Sequence, residues 1–257
     1  MLQKRVKFLN EAKIICNIIF NENITECILI HYWDLLPKRK QLLKWVDVDK
    51  IEWYQLSSNP NAIELLRGNP EKINWNNLSQ NKNAIELLKE NFDKINWEIL
   101  SLNKNGIELL QENLDKIDWN YLSRNPNAIE LLKVNLDKIN WNKLCSNKNG
   151  IELLKKNKNK IDWDVLSFNK NAISLLRENP DKINWFNLSL NKNGIELLQD
   201  NMDKINWHNL SYNENAIELL RKNQDKISWV WLSLNKNGIS LLKENLDRID
   251  WDMLSGN

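Results

Sequence analysis

Tryptophan recurs every 22 residues along this chain, at 53, 75, 97, 119, 141, 163, 185, 207, 229 and 251. A fixed period of that length leaves few folds open. A unit so short cannot enclose a core of its own, so neighbouring units must supply the walls. Nine full units run from Ile51 to Arg248, and a truncated tenth, IDWDMLSGN, follows. The unit reads I-[N/D]-W-x-x-L-S-x-N-[K/P]-N-[A/G]-I-[E/S]-L-L-x-x-N-x-[D/E]-K with few departures.

Capping chemistry divides the unit into two helices. The residue before each repeat tryptophan (Asn74, Asn96, Asp118, Asn140 and so on) accepts hydrogen bonds from free amides, so a short first helix starts at the tryptophan. Asn59, Asn81, Asn103 and their equivalents are read as caps of a second helix of about nine residues carrying NAIELL, with Pro60 and Pro126 at its first position. Asn69, Asn91 and Asn113 are expected to end it in the left-handed conformation. The apolar residue that follows (Phe92, Leu114, Leu136, Met202, Leu246) is then expected to make a Schellman-type contact. Isoleucine, tryptophan and leucine columns supply the core. A column restricted to Ala or Gly, from Ala62 to Gly238, suggests tight approach of adjacent units.

These readings predict an all-α fold, an α-solenoid of stacked 22-residue two-helix repeats with an N-terminal helical cap. Residues 1–50 form the cap and a degenerate first coil, and residues 51–257 form one continuous solenoid. Lysine plus arginine total 36 against 34 acidic residues, and the excess sits in residues 1–50, so the repeat region has no general pull toward nucleic acid or anionic membrane. Cys16, Cys27 and Cys145 are odd in number and lack metal-ligand spacing, which points to a reducing compartment, the cytoplasm. The N-terminal stretch reads as neither signal peptide nor membrane span, because Glu11 and Asn17 interrupt it.

With those residues in view, DKINWxxLSxNPNAIELL in tandem, preceded by LLKWVDVDKIEW, resembles the tryptophan- and asparagine-rich 22-residue repeat proteins encoded by giant viruses of the mimivirus type. The resemblance covers residues 42–257, and the Asn, Lys and Ile bias suits the AT-rich genomes of such viruses. It implies a helical repeat in a host cytoplasm and transfers no activity or site residue.

A search for chemistry returns little. Catalysis needs unlike groups converging on one cleft, whereas this chain repeats the same groups at intervals. His31 and His208 are the only histidines, and no phosphate-binding, dinucleotide or nucleophile-elbow motif occurs. We therefore expect no enzyme, no cofactor and no metal ligands. The asparagine columns fit structural roles better than base recognition, and invariant tryptophans fit a core better than stacking platforms.

Variation is the remaining signal. The two residues after each repeat tryptophan and the residue after each Leu-Ser or Leu-Cys differ from unit to unit. Between 168 and 234 they turn apolar and aromatic, at Phe168, Phe186, Leu190, His208, Tyr212, Val230, Trp231 and Leu234. These are the candidate partner-binding residues, with extra inter-coil packing as the competing reading. The expected function is a protein-interaction scaffold or adaptor, a monomer or weakly self-associating, with a protein partner and no membrane. Nucleic-acid binding is the second choice and structural assembly the third.

Overall fold

The computed structural model describes residues 47–257. The expected N-terminal cap therefore lies outside the described residues, apart from one turn of 3-10 helix at Val48–Lys50. From Trp53 onward the chain is a helical solenoid in which one coil is stacked on the next, with no strand among the described residues. None of the described helices is long and apolar enough to cross a membrane.

Each coil holds three short helices. In the coil from Ile73 to Lys94 the first is Trp75–Gln80, the second Ile85–Lys89, and a 3-10 turn, Phe92–Lys94, closes the unit. The first helix begins as its sequence requires: the Asn74 carbonyl oxygen Oδ1 accepts the Asn77 N–H at 3.0 Å, and Asn96, Asp118 and Asn140 do the same one coil later each time.

The second helix departs from expectation. It spans five or six residues, and the residue before it is the small one, Ala84 or Gly106, with no side-chain cap bond. Asn81 does not cap it. Its Oδ1 accepts the Asn83 N–H in a turn, while its Nδ2 donates to Ser57 O and Asn59 O of the preceding coil, both at 3.0 Å. Pro60 and Pro126 sit in that turn rather than at a helix start.

Asn91 is not left-handed either. It lies at φ −132°, ψ 55°, and its Nδ2 donates to the Leu87 carbonyl, one of the orphan acceptors at the helix end. Phe92, Leu114, Leu136 and Leu246 then open the 3-10 turns as exposed residues instead of making buried terminal contacts.

The core is a ladder of leucines. Leu78, Leu88, Leu100, Leu110 and their equivalents are fully enclosed, each contributing about 1.5–3 kcal/mol by leaving water. The small column is explained within the coil and not by its neighbour. A Cβ on Gly150 would meet Leu144 Cδ1 at 2.8 Å and Leu144 O at 3.0 Å.

The repeat tryptophans from Trp53 to Trp229 pack on this core only half-buried, so each indole ring keeps part of its surface exposed. In several coils a cation from the end of the same unit lies over that ring: Lys72 over Trp53 at 5.0 Å, Lys204 over Trp185 at 4.9 Å, Lys226 over Trp207 at 4.9 Å. Such contacts are worth about 0.5–1 kcal/mol at exposed sites. Trp251, in the truncated last unit, is 63% exposed.

Polar ladders bind coil to coil. Ser79 Oγ donates to Trp75 O at 2.8 Å and accepts the Asn96 N–H of the next coil at 3.0 Å, and the same fully buried serine recurs along the array. Cys145 takes that place once, its Sγ accepting the Asp162 N–H at 3.3 Å. A second asparagine column adds Asn83 Nδ2 to Pro60 O and Asn105 Nδ2 to Lys82 O.

Successive first helices pack directly on one another along the array, whereas successive second helices approach more sparsely. The first-helix layer is therefore the tighter one.

Candidate partner-binding surface

On the first helices that start at Trp75 through Trp229 the leucine three places after the tryptophan and the serine, once Cys145, four places after it point into the core. The residues one and five places after the tryptophan lie one helical turn apart and share the outward face.

For much of the array this face is polar and engaged. Asn76 Oδ1 accepts from Asn96 Nδ2 at 2.8 Å, Asn120 Oδ1 from Asn140 Nδ2 at 2.6 Å, and Asp164 Oδ1 from Asn184 Nδ2 at 2.7 Å. Asn142 donates to Asp162 at 2.6 Å. The position two after the tryptophan joins in: Asn77, Asn187 and Asn209 donate to the carbonyls of Tyr54, Asp164 and Phe186 of the preceding coil. These variable columns are thus not free of architectural demand, contrary to the reading of them as plain surface.

The apolar replacements occupy the same face on four successive first helices, Trp163–Phe168, Trp185–Leu190, Trp207–Tyr212 and Trp229–Ser233. Phe168 is 55% exposed, Phe186 56%, Tyr212 46% and Val230 41%. His208 is exposed, whereas Leu190, Trp231 and Leu234 are half-buried. The structure brings three of them together. Trp231 meets His208 edge-on at 5.0 Å and Tyr212 edge-on at 5.8 Å, across the junction of two coils. Phe168, Phe186, Leu190, Val230 and Leu234 lie along the same face without belonging to that cluster.

A row of charges borders the face, in the turn two residues beyond its edge. Lys148, Lys170 and Lys236 are exposed there, and Lys192 is ion-paired with Glu214. The Lys192 ammonium holds the Glu214 carboxyl below the usual carboxylate range, with Lys236 and Lys170 adding to the effect. The row has a signal of its own in the sequence, since lysine recurs between two asparagines at 82, 104, 148, 170, 192 and 236.

Residues 91–249, which lie wholly within the repeat array, match the family described as NosD, periplasmic copper-binding protein. The chain belongs to the NosD family. No curated protein and no solved structure matches it.

The family description prompts a test of copper against the residues present. Copper is held by imidazole, thiolate or thioether groups gathered at one point. Among the described residues no group of three or more His, Cys, Asp or Glu side chains could hold a metal ion. His208 packs against Trp231. Burial pushes the Cys145 thiol up to about 11, so it stays protonated at neutral pH and points at a backbone N–H. These residues do not fit a copper ion.

Proposed function

We propose that this NosD-family chain is a protein-interaction scaffold and not an enzyme, and that it engages its partner through the exposed face of the first helices in the coils from Ile161 to Arg248. The observation that carries the reading is the exchange at Phe186, His208 and Val230. In four of the five coils from Ile73 to Lys182 the equivalent residues, Asn76, Asn120, Asn142 and Asp164, bond to the next coil's cap. Here that bond is given up, and large apolar groups stand in solvent instead. Exposed aromatic side chains grouped on one face are the residue type that dominates binding energy at protein interfaces.

The test is affinity capture with the chain and with a Phe186→Ala, Tyr212→Ala, Trp231→Ala variant, each checked by circular dichroism and thermal melting. A partner retained by the first and lost by an equally folded variant is the expected result. Equal capture by both places the interface elsewhere, and a molten variant assigns the three residues to packing.

We also infer a cytoplasmic setting and an origin in an AT-rich genome of the giant-virus type. Support comes from the free, buried Cys145, from the odd cysteine count and from the Asn, Lys and Ile bias. The family description names the periplasm, so fractionation of expressing cells decides between the compartments.

A further inference from the structure

We propose that the aromatic face of the first helices takes an extended acidic peptide segment bearing apolar side chains at about every third residue. The inference rests on the scaffold reading above and adds the chemistry of the partner.

Charge on the face points one way. Between Ile161 and Arg248 its two acidic groups are already engaged: Asp164 accepts from Asn184 at 2.7 Å, and Glu214 is paired with Lys192. The exposed lysines 148, 170 and 236 beside them are in no ion pair with a described residue, so the charge left over along the track is positive.

The coil at the start of the track strengthens this. Residues 139–160 hold six lysines and a single acid, Glu152, because Asn159 stands where other coils have Asp or Glu. Lys143 and Lys148 of that coil lie on the first helix and its following turn, next to the coil that carries Phe168. A partner thus meets cations first and apolar groups next.

Spacing favours a peptide lying along the rod. Packed helices are separated by about 8–10 Å, and a chain extended as a polyproline II helix advances about 3.1 Å per residue with about three residues per turn, so side chains three apart share one face and step from coil to coil. A nucleic-acid strand fits less well. Bases need ring faces to stack on. Here the Trp231 ring is taken up by edge contacts at interplanar angles of 64° and 82°, and the aliphatic Leu190, Val230 and Leu234 interrupt the aromatic residues.

The experiment is fluorescence anisotropy of the full chain with a labelled peptide of repeated Phe-Glu-Glu triplets, about 18 residues long and able to cross about five or six coils. Comparison probes are the matching Phe-Lys-Lys and Ala-Glu-Glu peptides and an oligothymidylate of similar length. The Phe-Glu-Glu peptide should bind tightest, and added salt should weaken it. A Phe168→Ala, Phe186→Ala variant, which touches exposed residues only, should bind it about tenfold more weakly or worse. A Lys148→Gln, Lys170→Gln, Lys236→Gln variant should weaken binding and flatten its salt dependence.

Equal binding of the Phe-Lys-Lys peptide would overturn the acidic assignment, as would tighter binding of oligothymidylate, no peptide binding, or indifference to both variants. If the Phe-Glu-Glu peptide fails while a cellular partner is still lost from the Phe186, Tyr212, Trp231 variant, the scaffold reading stands and the acidic chemistry falls.

Discussion

The coils from Ile73 to Lys182 and those from Ile183 to Arg248 share their core and their inner ladders but differ on one face of the first helix. In the earlier set the residue after the tryptophan is polar, and Asn76, Asn120, Asn142 and Asp164 each reach the next coil's cap. Glu98 is the exception: its carboxylate lies against the Tyr121 hydroxyl, which it holds above the usual phenol range. In the later set Phe186, His208 and Val230 stand there, and Asn206, Ser228 and Asp250 have lost that partner. The serine and asparagine ladders beneath continue unchanged. The inner ladder is therefore obligatory for stacking, whereas the outer one can be exchanged. An exposed hydrogen bond contributes about 0.5–1.5 kcal/mol and the edge-to-face cluster at Trp231 about the same, so the exchange costs the fold little.

The sharpest way to break this comparison is to cut the inner ladder on both sides of it. Asn103 and Asn213 are both buried, and each donates to two carbonyls of the preceding coil and accepts one N–H from its own. Replacing either with alanine strands buried carbonyls that water cannot reach, at a cost of about 3 kcal/mol. Urea titration should give similar losses for Asn103→Ala and Asn213→Ala. A loss confined to one of them would mean that the two sets of coils are stacked by different forces.

The next effect is smaller and concerns the one rung that departs from serine. Cys145→Ser restores a hydroxyl able to donate to Trp141 O and to accept the Asp162 N–H as a first-row acceptor, and should raise stability by about 1 kcal/mol. It should also change the alkaline limb. Burial raises the thiol from 9.0 to about 11 in the folded chain, so stability owed to the neutral thiol is full below pH 9 and lost as pH rises toward 11. The difference between parent and Cys145→Ser in urea midpoints should widen across that window. A constant difference would show that the thiol is not held in its neutral form by the fold.

Much of the architecture was legible because the sequence repeats its own instructions. The period gave the stacking, and the residue before each tryptophan gave the first helix, since capping is local chemistry read three residues away. The role of Asn81 was not legible for the opposite reason. Its acceptors lie 22 and 24 residues earlier, and an asparagine suited to a local cap is equally suited to a bond across coils. The partial exposure of the tryptophans was not legible, because invariance marks a constraint without saying how much of a ring is covered. On the candidate face, the variable positions did identify the exposed Phe168, Phe186, Tyr212 and Val230. The lysine row beside them was hidden, since it varies too little to stand out.

The smallest predicted effect bears most directly on the comparison. Phe186→Asn places an amide where Asn120 sits in its own coil, within reach of Asn206 as Asn120 is of Asn140. A regained exposed hydrogen bond should raise stability by about 0.5 kcal/mol, and Asn120→Phe should lower it by a similar amount. If the phenyl ring were packing, the sign would reverse, because removing a buried aromatic group costs about 3–5 kcal/mol. Phe186 is 56% exposed, which favours the first outcome. Paired urea titrations of the two variants decide it. Peptide anisotropy on the same Phe186→Asn sample should show weaker binding while stability rises. Opposite changes in the two measurements are what a position released from coil stacking and recruited to a binding face must produce. If Phe186→Asn lowered stability, the residue would belong to the stack and the division between the two sets of coils would fail.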